Sequence, residues 1–431
     1  MPLRRELTLW EAVFSGVGII VGAGVYAIIA EATALAGNTV WLSFVCAAIV
    51  AATAGLSYAE LSSIYPKAGA EYDYIKPAFG QKAAFLVAWL AIFASIVGIT
   101  TVAMSFGGYL SELVCLKCLA NFSAEDAFFN MDWFFGAAIL IIFSTLLLLL
   151  GVKKSAELAI AITLISILGL IIAIFAGIPK VNTKSLLEIK SVSGIFSGGA
   201  LVFFAYIGFE EIVRLSEETK DPQKNIPLAV ILAILITSIL YILVSIATVS
   251  IVTPQELASS PNPMAIIGYE IFGNIGHTLL SVIALFATAS TVILIMLATS
   301  RILYGMSKEG ALPAFLSKLS GKGVPYNAVF ATSIASLLFL SFGSLKFVAN
   351  TVNFSILLIF LIVNFSLIHL RLKLPAKERP FKVPLNVGFL PLPTFFGIIL
   401  TMLLILSIDL SSIVFSLFAL FSGIIFLIFY P

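Results

Sequence analysis

The sequence predicts an all-α integral membrane protein, and three observations carry that expectation. Of its 431 residues 61% are hydrophobic and only 11% charged, whereas a soluble globular domain carries about 25% charged residues. Mean hydropathy is +1.13. The apolar residues fall into twelve runs, each long enough to cross a bilayer, for which a helix needs roughly 20 residues. Two of those runs, the first and the sixth, are interrupted in mid-span by glycine.

In chain order the runs are 10–33, 38–64, 84–111, 133–151, 156–178, 194–214, 227–252, 277–305, 326–343, 347–370, 388–408 and 410–430. An outer-membrane barrel is excluded, because its strands would show about ten residues of alternating pattern rather than unbroken apolar stretches. The basic start, Arg4-Arg5, resembles the head of a signal peptide, but the apolar stretch behind it is too long and is broken by glycine, so a retained first helix is expected. Lys and Arg collect on cytoplasmic loops. With the amino terminus inside, nineteen of the 24 fall on that side, so both termini are expected in the cytoplasm and the chain in the plasma membrane. The loop 179–193, with Lys180, Lys184 and Lys190, is the local exception. A net charge of +2 gives no reason to expect a nucleic-acid partner; the lipid bilayer is the partner that composition demands. Cys46 reads as packing within a span. Cys115 and Cys118 form a C-x-x-C in an outer loop where a disulfide is chemically open, and with only two, distant histidines no metal site is expected.

The interrupted runs organise the rest. The first reads Gly16-Val17-Gly18-Ile19-Ile20-Val21-Gly22-Ala23-Gly24, four glycines in nine residues. Glycine disfavours helix by about 1 kcal/mol relative to alanine. The sixth reads Phe203-Phe204-Ala205-Tyr206-Ile207-Gly208-Phe209-Glu210-Glu211, with two carboxylates next to the glycine. Either run alone reads equally well as a close helix-packing surface. As a pair at corresponding places in two halves, they point to discontinuous helices around a transporter's substrate site.

Four further stretches resemble the amino acid/polyamine/organocation permeases. Ser57-Tyr58-Ala59-Glu60-Leu61, followed by Pro66-Lys67-Ala68-Gly69 and Tyr72, is similar to that family's S-Y-A-E-L and P-x-A-G-x-x-Y. Phe203 to Glu210, with Glu217-Glu218 and Pro222 to Pro227 beyond it, resembles F-F-A-Y-x-G-F-[ED] and E-E-x-x-x-P-x-x-x-I-P. Arg301 to Pro313 resembles R-x-x-Y-x-M-[AS]-[RK]-[DE]-G-x-L-P, and Gly22-Ala23-Gly24 the family's G-[TSA]-G. After about residue 345 only hydropathy continues the likeness. The resemblance implies a transporter core over 1–375, built of inverted five-helix repeats at about 8–178 and 193–373, with helices 1 and 6 discontinuous and two additional helices over 386–431. It also implies a secondary active transporter of amino acids working by alternating access. A polyamine or organic cation exchanger of the same fold, or a non-transporting sensor, is the alternative.

A zwitterion suits such breaks, since backbone groups freed in mid-membrane cost several kcal/mol each unless paired. The amides of Gly22, Ala23 and Gly24, at the positive end of a restarted helix, suit a carboxylate. Carbonyls freed near Ile20 and from Phe204 through Ala205 and Tyr206 to Ile207 suit an ammonium, and the bare glycines leave room for both. The resemblance implies that Phe204 closes over the substrate. Cationic amino acid members often carry an acid where this chain has Ala94, which favours a neutral amino acid; Thr100, Thr101 and Ser105 are candidate pocket hydroxyls.

The driving ion is open between proton and sodium, and uncoupled exchange needs neither. Some proton-coupled relatives carry a lysine in the fifth helix where this chain aligns Leu164. Thr288, Ser290 and Thr291 offer oxygens to sodium or bond back to their own helix. Glu210 offers a carboxylate to a proton or pairs with Arg214 one turn away. The sequence holds no H-E-x-x-H and no G-x-S-x-G, so an enzyme is not expected, and no cofactor beyond the coupling ion.

Overall fold

A computed structural model describes residues 7–22, 24–67, 69–114, 131–150, 152–189, 191–260, 262–320, 323–341 and 344–429, with backbone alone at 131, 132, 152–161 and 163. Cys115 and Cys118 lie outside the described residues, as does Ala23. Among the described residues eight helices are long and apolar enough to cross a membrane, and four shorter apolar helices accompany them. Helix is the expected answer, because in lipid a chain must satisfy its own backbone groups.

The first run divides into α1 (Leu9–Ile20) and α2 (Gly24–Ala36). Thr8 and Glu11 start α1 with a capping box, the Glu11 carboxylate accepting from Thr8 N–H at 2.7 Å. The entering strand is pinned as well: Leu7 N–H donates to Glu218 O at 3.0 Å, and Lys220 N–H to Leu7 O at 2.9 Å. Next come α3 (Val40–Ile64), α4 (Glu71–Phe79), α5 (Gln81–Leu113), α6 (Met131–Leu150), α7 (Val152–Gly177) and the short α8 (Thr183–Leu186). Between the second and third apolar runs, α4 is an amphipathic helix with Tyr74 and Ile75 turned inward.

The second half begins with α9 (Val192–Val202), a 3₁₀ stretch (Phe203–Tyr206) and α10 (Phe209–Arg214), then α11 (Pro222–Ile251). Two elements absent from the expected spans follow: α12 (Pro254–Ser259), and the first part of α13 (Pro263–Lys308), which kinks at Phe272 and Gly273 before entering the apolar run 277–305. The kink fits Gly273, at φ +61. Then come α14 (Tyr326–Phe339), α15 (Leu345–Lys373), a two-residue hairpin of β1 (Asn386–Val387) with β2 (Leu390–Pro391), α16 (Leu392–Leu406) and α17 (Leu410–Phe429).

The broken sixth segment and α15 are the most deeply packed of the candidate spans and α17 lies at the rim: 72% of an 18-residue window is buried in each of the first two against 22% in α17. Glu60, in the S-Y-A-E-L stretch of α3, ties down the connection between α15 and α16. Its fully buried carboxylate takes Arg371 Nε and Val383 N–H, each at 2.8 Å, with Arg379 Nε at 3.1 Å. An unpaired charge there would cost several kcal/mol. That motif residue therefore braces the frame.

Candidate functional site

In the first break, α1 ends at Ile20 and Val21 takes φ −78°, ψ 61°, an inverse γ-turn. Gly22 N–H consequently donates to Ile20 O at 2.8 Å. The same oxygen accepts the Tyr241 hydroxyl from α11 at 2.7 Å. A carbonyl has two lone pairs, and both are engaged. The expectation of an open Ile20 carbonyl is thereby altered: an ammonium can take that oxygen only by displacing a donor.

The glycines of this break are filled from outside. A Cβ at Gly22 would lie 2.1 Å from Thr291 Oγ1, and one at Gly24 would lie 2.4 Å from Ala205 Cα. Gly22 therefore lets α13 reach the turn, and Gly24 lets the start of α2 rest on the backbone of the sixth segment. Both sequence readings of the run hold at once, since it interrupts the helix and it packs closely. Gly24, Val25 and Tyr26 at the positive end of α2 are all buried.

In the sixth segment α9 tightens into the 3₁₀ turn, Ile207 extends (φ −63°, ψ 136°), and Gly208 adopts φ +124° before α10 starts. A side chain there would be strained and would sit 2.9 Å from Ile19 Cγ2. Asn353 of α15 donates its amide to Ala200 O at 2.8 Å and Leu201 O at 3.0 Å, covering carbonyls at the frayed end of α9. Its own oxygen is buried without a partner. Tyr206 donates to Phe44 O at 3.1 Å, and its ring meets that of Tyr241 edge-on at 5.3 Å. Phe204, Ala205 and Tyr206 are buried, and Ile207 half-buried.

Glu210 does not pair with Arg214. Its carboxylate folds back to accept Gly208 N–H at 2.9 Å, while Arg214 pairs with Glu211 and stands 3.6 Å from Glu71 of α4. The i,i+4 expectation fails because Glu71, 143 residues earlier, competes for the guanidinium, and the free amide at the start of α10 claims Glu210. Tyr58 donates to Glu71 at 2.9 Å. Beside it the buried Tyr74 hydroxyl of α4 has no partner, and burial holds its pKa well above the usual tyrosine value, so it remains a donor.

The hydroxyls proposed for sodium are turned into their own helix: Thr288 donates to Ala284 O at 2.8 Å, Ser290 to Ala287 O at 2.9 Å and Thr291 to Ala287 O at 3.0 Å. Leu164 is 65% exposed, on the face of α7 turned away from the packing. Ser166, on the inner side, uses its carbonyl to accept Tyr26 at 2.5 Å. Thr100 reaches Ser336 O at 3.0 Å, toward α14 rather than the breaks, and Thr101 bonds back to Val97 O. Ala94, Gly98 and Ser105 are buried on α5, and a Cβ at Gly98 would meet no described atom within 4 Å. Among the described residues no group of His, Cys, Asp and Glu side chains is placed to hold a metal ion.

Residues 7–430 match the amino acid permease family. The chain belongs to that family. The permease is 30% identical to the branched-chain amino acid permease BcaP of Bacillus subtilis, across 89% of this chain and 84% of the relative. It is 29% identical to the methylthioribose transporter of the same organism over the same shares. To the mitochondrial cationic amino acid transporter 3 of Arabidopsis thaliana it is 30% identical, over 88% of this chain and 64% of the relative. These relatives mark the permease as a multi-pass membrane protein of amino acid transport. Tyr241 and Asn353 were missed by sequence reasoning. Their signal was present, because a phenol or an amide inside an apolar span needs a hydrogen-bond partner, but not which partner.

Proposed function

We propose that this permease moves neutral amino acids across the plasma membrane as a secondary active transporter working by alternating access. The carrying observation is that both segments are discontinuous and touch at their breaks, Gly24 against Ala205. The substrate carboxylate faces the amides of Gly22, Ala23 and Gly24; the ammonium faces carbonyls of Ile20 and of Phe204, Ala205, Tyr206 and Ile207, with Phe204 over it. Twelve spans with both termini in the cytoplasm, inverted repeats at 8–178 and 193–373 within a core of 1–375, and two added helices over 386–431 complete the architecture. The absence of an acid at Ala94 supports a neutral side chain.

The driving ion is a proton on Glu210. Glu71, Glu210 and Glu211 lie around one part-buried guanidinium, Arg214. Three carboxylates against that charge favour uptake of a proton, since unpaired charge away from water is costly. The alternative, sodium at Thr288, Ser290 and Thr291, would need those hydroxyl oxygens to accept a cation while donating into their helix.

Uptake into proteoliposomes across the twenty amino acids, methylthioribose and putrescine, each under an imposed proton or sodium gradient, tests the reading. Saturable uptake of neutral amino acids driven by protons is expected. Uptake confined to putrescine or methylthioribose would overturn the substrate class, and sodium drive the coupling.

A further inference from the structure

Tyr241 touches both breaks, by its hydroxyl at Ile20 O and by its ring at Tyr206, and has no role in the transport scheme above. It is fully buried on α11, its hydroxyl on Ile20 O at 2.7 Å and its ring 5.3 Å from Tyr206 and 6.0 Å from Phe44. Ile20 is the last residue of α1, so its carbonyl stands at the negative end of a helix. A neutral phenol is a modest partner for that oxygen. A primary ammonium offers a charge-assisted bond about twice as strong.

We propose that the Tyr241 hydroxyl is a displaceable stand-in for the substrate's ammonium. In the empty carrier it keeps Ile20 O paired where water is excluded; an arriving ammonium takes the oxygen and the phenol is released. Because the same ring packs edge-on against Tyr206, its release is felt in the sixth segment, so occupancy of one break is transmitted to the other. The ligand class this device selects is a molecule with a free amino group, and the inference rests on the broken segments being the substrate site.

The test uses purified full-length permease in nanodiscs. The probes are the amino acid taken up best in the uptake panel and the same molecule with hydrogen in place of its amino group. Tyr241→Phe keeps the ring and removes the competing donor. Binding of the amino acid should tighten, roughly fivefold for one net hydrogen bond, with no gain for the deamino compound. Unchanged or weaker amino acid binding in a monodisperse variant whose melting temperature is within a few degrees of wild type (roughly the shift one net hydrogen bond produces) would overturn the proposal. A second measurement leaves the side chain in place: 3-fluorotyrosine at position 241 should shift its fluorine resonance on adding the amino acid and not on adding the deamino compound, and equal shifts or none count against displacement. Gly24→Leu separates the two levels. Uptake that survives it removes the site itself, whereas uptake lost there with Tyr241→Phe binding unaltered removes only the role given to Tyr241.

Discussion

The two breaks use glycine for opposite purposes. In the first, Gly22 and Gly24 are needed for what lies beside them, Thr291 Oγ1 at 2.1 Å and Ala205 Cα at 2.4 Å from an added Cβ. In the sixth, Gly208 is needed for its own backbone, at φ +124°. The first break is abrupt, a single γ-turn capped by one phenol from α11; the sixth tapers through a 3₁₀ turn, capped by an amide from α15 above and a carboxylate below. A glycine that makes room for a side chain, as Gly22 does for Thr291, can be compensated by trimming that neighbour. A conformation-making glycine cannot.

That contrast can be broken at five places. Gly24→Leu has the largest expected effect, abolition of uptake, because the obstacle is the backbone of Ala205, and no second substitution at a side chain should rescue it. Glu210→Gln comes next. It can still accept from Gly208 N–H but holds no proton, so proton-driven accumulation should collapse to equilibration while exchange of preloaded substrate continues, and the dependence of uptake on pH should flatten. An unchanged pH profile would remove the proton from Glu210. Gly208→Ala should destabilise the protein by about 1–3 kcal/mol, the strain of an unfavourable backbone region, read as a lower midpoint of thermal unfolding. Asn353→Ala leaves Ala200 and Leu201 carbonyls short of a donor in the interior and should cost about 2 kcal/mol, lowering maximal uptake more than the half-saturation concentration. Gly22→Ala is expected to be mildest, about 1 kcal/mol, since Thr291 can rotate away at the loss of its bond to Ala287 O. The double variant Gly22→Ala with Thr291→Ala should recover most of that loss, which would fail to happen if Gly22 served conformation as Gly208 does.

Much of the site was legible before the fold. The glycine runs place both breaks to within about a residue or two, as closely as helix ends can be defined. What was not legible is who fills them. Thr291, read as an oxygen for sodium or a bond back to its own helix, makes the bond to Ala287 O and is also the neighbour that crowds Gly22. Ile20 was read as an open carbonyl and is closed by a residue 221 positions away. Arg214 was matched to the acid one turn away, yet its partners are Glu211 and an acid on α4, a helix that the polar stretch after Pro66 did not announce. Glu60, a motif residue, braces the connection between α15 and α16 rather than touching either break.

By itself the sequence determined the solvent and the seams. A chain this apolar has to satisfy its backbone within helices, and glycines in mid-span mark where a helix is least able to continue, because those costs are local to the residue and its few neighbours. Only the tertiary structure decided which donor meets each freed carbonyl and which acids meet Arg214. Those pairings form between helices far apart in the chain, and a hydrogen bond or ion pair depends on ångström-scale placement that no local pattern of residues encodes.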